Sequence, residues 1–190
     1  MNLLLAGLGN PGDKYRLNRH NAGFMFLDWL LKAKDSHFII KEERFRFDKY
    51  SNAELLKVEY KSHKSQLTTV FAKPQTFMNR SGQTVAHLIS VPTIIFVAHD
   101  DLDIRIGNFK IQKSVGPKMH NGLESIEQSL KSKSFWRIRI GIDNRTSDNS
   151  TPGEPYVLSN FSGEEAEMLE KTFPRILSKL QLLLEDPSIL

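Results

Sequence analysis

Two short runs constrain this chain more than anything else in it: Leu3-Leu4-Leu5-Ala6 near the start and Thr93-Ile94-Ile95-Phe96-Val97-Ala98 in the middle. Side chains alternate across a strand, so a run that is apolar at nearly every position must be covered on both faces. Helical patterns lie between such runs. Phe24 to Ala33 is apolar nearly all round and reads as a well-covered helix, and Met78 to Ser90 and His120 to Leu130 read as two more. Phe45 to Tyr60, Gln66 to Ala72 (ending at Lys73-Pro74) and Phe135 to Ile142 read as further strands. Ser162 with Glu165 three residues on is a capping box opening a last helix, in which Pro174 is expected to introduce a kink. Strands alternating with helices predict an α/β sheet covered on both faces. Residues 143–155 (DNRTSDNSTPGEP) read as a mobile loop, too short to divide the chain, so one domain over 1–190 is expected.

Composition narrows the class. A chain of 190 residues with 39% hydrophobic content can bury a sizeable core. No apolar run approaches the ~20 residues of a membrane span, and the N-terminus lacks the pattern of a secretory leader. With no cysteine there is no disulfide scaffold, thiol nucleophile or thiolate metal site, which fits a cytoplasmic protein. The net charge of +4 hints at an anionic partner, and it is unevenly spread. Residues 163–186 are acidic on balance, whereas Lys131, Lys133, Arg137, Arg139 and Arg145 cluster against Asp143. An anion should bind at that cluster; a solvated face is the plainer alternative.

Gly7-Leu8-Gly9-Asn10-Pro11-Gly12 follows the first strand and spells G-x-G-x-x-G. A dinucleotide fold needs a helix opening within those glycines and an acidic residue closing a second strand ~20 residues on. Neither is present. The glycines instead let the backbone turn and approach a ligand, leaving Asn10, Tyr15 and His20 in one loop.

A second loop, His99-Asp100-Asp101-Leu102-Asp103, is expected after TIIFVA. Loops after neighbouring parallel strands gather at one sheet edge, where His20 and a carboxylate can meet as a general-base pair. Polar turn residues on the surface are the bland alternative, and the acidic trio with His99 could instead bind Mg²⁺ or Mn²⁺. Ser81-Gly82 lacks a nucleophile elbow, so water is the expected nucleophile. Asn79 and Asn121 each open a helix, where Asn is common for local reasons. Their amides also suit a peptide substrate or an oxyanion.

Four motifs in order, GLGNPG-x-x-Y-x-x-x-RHN-x-G, KP-x-TFMN-x-SG, HDDLD-x-x-x-G and HNGL-x-SI, resemble the bacterial-type peptidyl-tRNA hydrolase family. The likeness runs to about residue 161, where YVLSNF is similar to the family's last strand. The resemblance implies a single three-layer α/β/α domain with a mixed, mostly parallel twisted sheet. It also implies hydrolysis of the ester between a peptide and the terminal ribose of tRNA, without metal or other cofactor. By position, His20 is the general base that activates water, Asp100 orients it, and Asn10 with Asn79 holds the peptide and its reacting carbonyl. Asn79 and Asn121 would bind peptide, Phe77 and Met78 line the cleft, His120 gates it, and Tyr15 stacks on the tRNA 3′ end. Arg139 matches an arginine that clamps the tRNA 5′ phosphate, with Arg137 on the polar outer face of an edge strand.

The sequence departs from the pattern at several points. Pro117, Lys118 and Met119 stand where the family has small residues before HNG. Gln112 replaces the basic partner in the phosphate clamp, with Lys110 or Lys113 as candidate substitutes. Asn18 replaces a threonine, and Ile142-Asp143-Asn144-Arg145 replaces a Gly-x-Pro stretch. The implied partner is peptidyl-tRNA, with no membrane and no obligate protein partner, so a monomer is expected. Two other readings stay open: a non-catalytic RNA-binding relative, and a metal-dependent phosphate-ester hydrolase using Asp100, Asp101 and Asp103.

Overall fold

The computed structural model describes residues 2–33, 37–89, 93–146 and 151–189. Its strands are β1 (Asn2–Gly7), β2 (Phe38–Ile40), β3 (Arg46–Asp48), β4 (Ala53–Lys61), β5 (Gln66–Pro74), β6 (Thr93–Arg105), β7 (Phe109–Lys113) and β8 (Trp136–Asp143). The helices are α1 (Ala22–Lys32), α2 (Ser81–Leu88), α3 (Asn121–Leu130), α4 (Gly153–Val157) and α5 (Gly163–Leu184). The strands form one mixed sheet in the order β2-β4-β5-β1-β6-β8-β7, with β3 also paired to β4. Its centre, β5-β1-β6-β8, is parallel, and the strands outside it run antiparallel to their neighbours.

The doubly apolar runs sit where they must. Leu3 and Leu5 enter a core with α1 and α5, while Leu4 and Ala6 enter a second core with α2 and α3. Strand alternation thus divides one run between two hydrophobic layers, which gives the three-layer α/β/α architecture. The sheet is pinned closely to α1: a Cβ at Gly23 would collide with the Ala98 carbonyl oxygen and the Leu8 nitrogen.

Several sequence expectations need correction. Phe45 to Tyr60 is not one strand, because Asp48 Oδ2 accepts from the Ser51 nitrogen at 2.7 Å and its hydroxyl at 2.6 Å, making a turn that separates β3 from β4. The helix read from Met78 to Ser90 begins as a 3-10 turn, Met78–Arg80, before α2; Ser90 lies outside the described residues. His99 to Asp103 is not a loop. Strand β6 continues to Arg105 because β8 keeps pairing with it, His99 opposite Arg139 and Asp100 opposite Ile140. Tyr156 to Phe161 holds no strand: α4 ends there, and among the described residues its one strand-like pairing is a single bridge between Asn160 and Asn18. Of the loop read over 143–155, Asp143 belongs to β8 and Gly153 opens α4, while 147–150 lie outside the described residues. Helix α5 opens with the expected Ser162–Glu165 capping box and continues through Pro174 without interruption.

Candidate active site

Strand β1 delivers the chain to the carboxyl edge of the sheet beside β6, and the segment that follows makes two 3-10 turns, Asp13–Tyr15 and Arg19–Asn21. No helix opens on the glycines. Gly12 has φ 104°, a conformation open to glycine and costly for other residues. Asn21 then closes the loop on itself, its Oδ1 accepting from the Asn10 nitrogen at 2.9 Å and its Nδ2 donating to the Asn10 carbonyl at 3.0 Å. Asn10 Oδ1 accepts from the Met78 nitrogen at 2.9 Å, so among the described residues the two hydrogens of its Nδ2 remain for a ligand.

His20 and Asp100 meet at this edge. His20 Nδ1 lies 2.9 Å from Asp100 Oδ1, and His120 Nε2 lies 3.0 Å from the same oxygen. The tautomer of His120 follows from its other nitrogen. His120 is the N-cap of α3, and its Nδ1 accepts from the nitrogens of Gly122 at 3.1 Å and Leu123 at 3.4 Å. An accepting Nδ1 carries no proton, so Nε2–H donates to Asp100. His20 likewise donates from Nδ1, which leaves Nε2 as its basic nitrogen in the cleft. Burial would lower the pKa of His20, but Asp100 outweighs it and the net shift is upward. Burial would raise Asp100, yet His20 and His120 hold it well below the usual carboxylate range. His99 is different: burial and its neighbour His120 push its pKa far down, and its Nδ1 bonds the Asp100 carbonyl at 2.7 Å.

Asn10, His20, Phe77, Met78, Asn79, Asp100, His120 and Asn121 all line one cleft of about 450 Å³. Tyr15 does not line it; it lies in the first 3-10 turn with the Lys14 ammonium 4.7 Å from its ring centroid. The residues read as a phosphate clamp are also outside it. Arg139 is buried, its Nε donating to Asp101 Oδ2 at 2.7 Å and its Nη1 to Gln112 Oε1 at 2.9 Å. Lys110 is exposed and pairs directly opposite Arg139 across the β7–β8 ladder, on the same face; Lys113 pairs with Trp136, on the other. Arg137 is not on an edge strand, since β7 lies outside β8, and it is buried against Glu127 at 2.7 Å.

The acidic trio does not form one site. Asp101 is committed to Arg139 and to the Asp103 nitrogen, strand alternation turns Asp100 to the opposite face from Asp101, and Asp103 lies in the register irregularity that follows, accepting from the Lys118 nitrogen at 3.3 Å. His20, Asp100 and His120 do bring ligand atoms within 4.8 Å of one another. In the tautomer fixed by α3, however, His120 Nε2 holds a proton and offers a cation no lone pair.

Residues 4–188 match the family model described as Peptidyl-tRNA hydrolase. The chain belongs to the peptidyl-tRNA hydrolase family. It is 41% identical over 170 residues to the peptidyl-tRNA hydrolase of Helicobacter hepaticus, covering 88% of this chain and 70% of that protein. It is 40% identical to that of Geotalea uraniireducens, covering 96% of this chain and 90% of that one. Among solved structures, a peptidyl-tRNA hydrolase in complex with N-propanol superposes with TM-score 0.72 at 27% identity, covering 99% of this chain and 90% of that one. The Acinetobacter baumannii peptidyl-tRNA hydrolase gives 0.68 at 26% identity, with 99% and 94% covered.

Sequence reasoning missed the residues that brace this peptidyl-tRNA hydrolase site from behind. Asn21 is one. Arg19, next to His20, is another: its Nη2 bonds both Glu165 carboxylate oxygens, at 2.7 and 2.6 Å, and its Nη1 bonds the Asn160 carbonyl. Its guanidinium also sits over the Tyr156 and Phe161 rings, 4.4 and 5.1 Å from their centroids. The only signal in the sequence was the capping-box Glu165, whose second task depends on a partner 146 residues away.

Proposed function

We propose that this chain hydrolyses the ester joining a peptide, or an N-blocked amino acid, to the 3′-terminal ribose of tRNA, as a cytoplasmic monomer and one domain spanning 1–190. The observation that carries the reading is His20 in the cleft, held through Nδ1 by Asp100 and set beside the Asn10 amide. A water placed against His20 Nε2 loses a proton to it while its oxygen attacks the ester carbonyl. Negative charge moves to the carbonyl oxygen, where the Asn10 Nδ2 donors, with Asn79 or Asn121, stabilise it. The tetrahedral intermediate collapses, the ribose oxygen leaves, and the imidazolium returns the proton to it. The products are tRNA with a free hydroxyl and a peptide carboxylic acid, which loses its remaining proton to solvent. Asp100 stabilises the imidazolium between these two transfers.

Outside the cleft, Tyr15 is the stacking surface for the tRNA 3′ end, and exposed Lys110, on the Arg139 face of the sheet, meets phosphate, whereas Lys113 faces the other way. Arg139, already bonded to Asp101 and Gln112, supports that face from beneath. The base, its carboxylate and the amide donors together suit ester hydrolysis with no metal step.

Hydrolysis in ¹⁸O-water tests the reading. Label is expected in the peptide carboxylate and absent from the tRNA hydroxyl. Label in the ribose, or no cleavage of an N-blocked aminoacyl-tRNA, overturns it.

A further inference from the structure

The cleft carries a pattern that the reaction itself does not need. The two exposed amides, Asn79 and Asn121, each follow by two positions an apolar side chain left in water: Phe77, 59% exposed, and Met119, 90% exposed. The residue between is the anchor in both cases. Met78 is buried in the core of α2 and α3, and His120 is fixed by Asp100 and by the N-terminus of α3. Two helix starts therefore present the same pair to one cleft, an amide able to bond a peptide group and an apolar side chain beside it. Leu158, 44% exposed at the end of α4, adds a third apolar surface to the same rim.

Large apolar side chains exposed in a cluster mark a place where something apolar binds. Methionine, unbranched and polarizable, adapts to varied partners, and phenylalanine offers a flat face. Because the amides beside them suit peptide groups, the natural occupants are the side chains of the peptide being released. We propose that Phe77 and Met119 are specificity-determining residues that favour peptidyl-tRNAs whose last two residues carry apolar side chains. The inference rests on the hydrolase reading above.

The test uses one tRNA species acylated with N-acetyl-Leu-Leu or with N-acetyl-Ser-Ser, so that the RNA is constant. The wild type is expected to favour the Leu substrate by ~10-fold or more in kcat/KM, the discrimination an apolar contact can supply. Met119→Ser and Phe77→Ser should each reduce that preference, chiefly by raising KM for the Leu substrate. Both side chains are solvent-exposed, so their replacement removes little core packing. Equal rates for the two substrates in the wild type, or a preference unchanged in both variants, overturn the proposal while leaving the hydrolase reading intact. If the wild type cleaves neither substrate, the hydrolase reading fails and this one fails with it.

Discussion

His20 and His120 show how two identical side chains acquire different roles from what holds each ring. Both donate to one oxygen of Asp100, but the second nitrogen of His120 caps α3, whereas that of His20 is left to the cleft. His20 acts as a base only when deprotonated, and its pKa is raised, so activity should climb with pH through a midpoint above the ordinary histidine value of about 6.5. In Asp100→Asn the carboxylate is gone while burial remains. The limb of the pH–rate profile should move to lower pH as the plateau falls by ~100-fold or more; an unmoved limb would mean that Asp100 does not govern His20. Replacing the cap in His120→Ala should cost ~1 kcal/mol in urea unfolding, and His120→Asn, which keeps an N-cap acceptor, should recover most of it. The sequence pointed to candidate residues by type and spacing, His20 and Asn10 after the first strand, Asp100 after TIIFVA, Asn79 and Asn121 at helix starts. It could not show that one carboxylate oxygen serves two imidazoles, since that depends on residues 80 and 20 positions from Asp100.

At the scale of elements, apolar patterning was readable and polar burial was not. Leu3 to Ala6 and Thr93 to Ala98 announced central strands because a run apolar on both faces has few other uses. His99 to Asp103 read as a loop because buried strands rarely carry such charge. What permits it here is tertiary: Arg139 meets Asp101, and two histidines meet Asp100. The turn at Asp48–Ser51 was hidden by the apolar residues on either side of it. Helix α5 was legible from its capping box, but its link to the site was not. That link makes a distinct prediction, for Ser162 and Glu165 share the cap while Glu165 alone neutralises Arg19. Ser162→Ala should cost ~1 kcal/mol, and Glu165→Ala, which strands a buried guanidinium beside His20, ~3–5 kcal/mol. Urea denaturation of the two variants side by side checks this; equal losses would mean that the Arg19 pair adds nothing.

Across the whole molecule, function follows from topology. Parallel pairing of β1 with β6 and of β6 with β8 sends the chain to one edge of the sheet, where Asn10, His20 and Asp100 converge from distant parts of the sequence. The helix starts at Asn79 and Asn121 arrive at that edge from the other layer. Short apolar strands alternating with helices made this convergence foreseeable. The burial of Arg139 was not, because a guanidinium on a strand reads as exposed until its carboxylate partner is located. None of the steps requires a metal, so chelation should leave the rate unchanged.

The most direct measurement is single-turnover release of peptide from an N-blocked aminoacyl-tRNA with EDTA present, comparing wild type with His20→Ala and recording tRNA binding by both. The wild type should cleave at full rate, and the variant should bind tRNA yet cleave ~100-fold or more slowly. Equal rates from both would remove His20 from the chemistry, and abolition of wild-type activity by EDTA would replace the general-base account with a metal-dependent one.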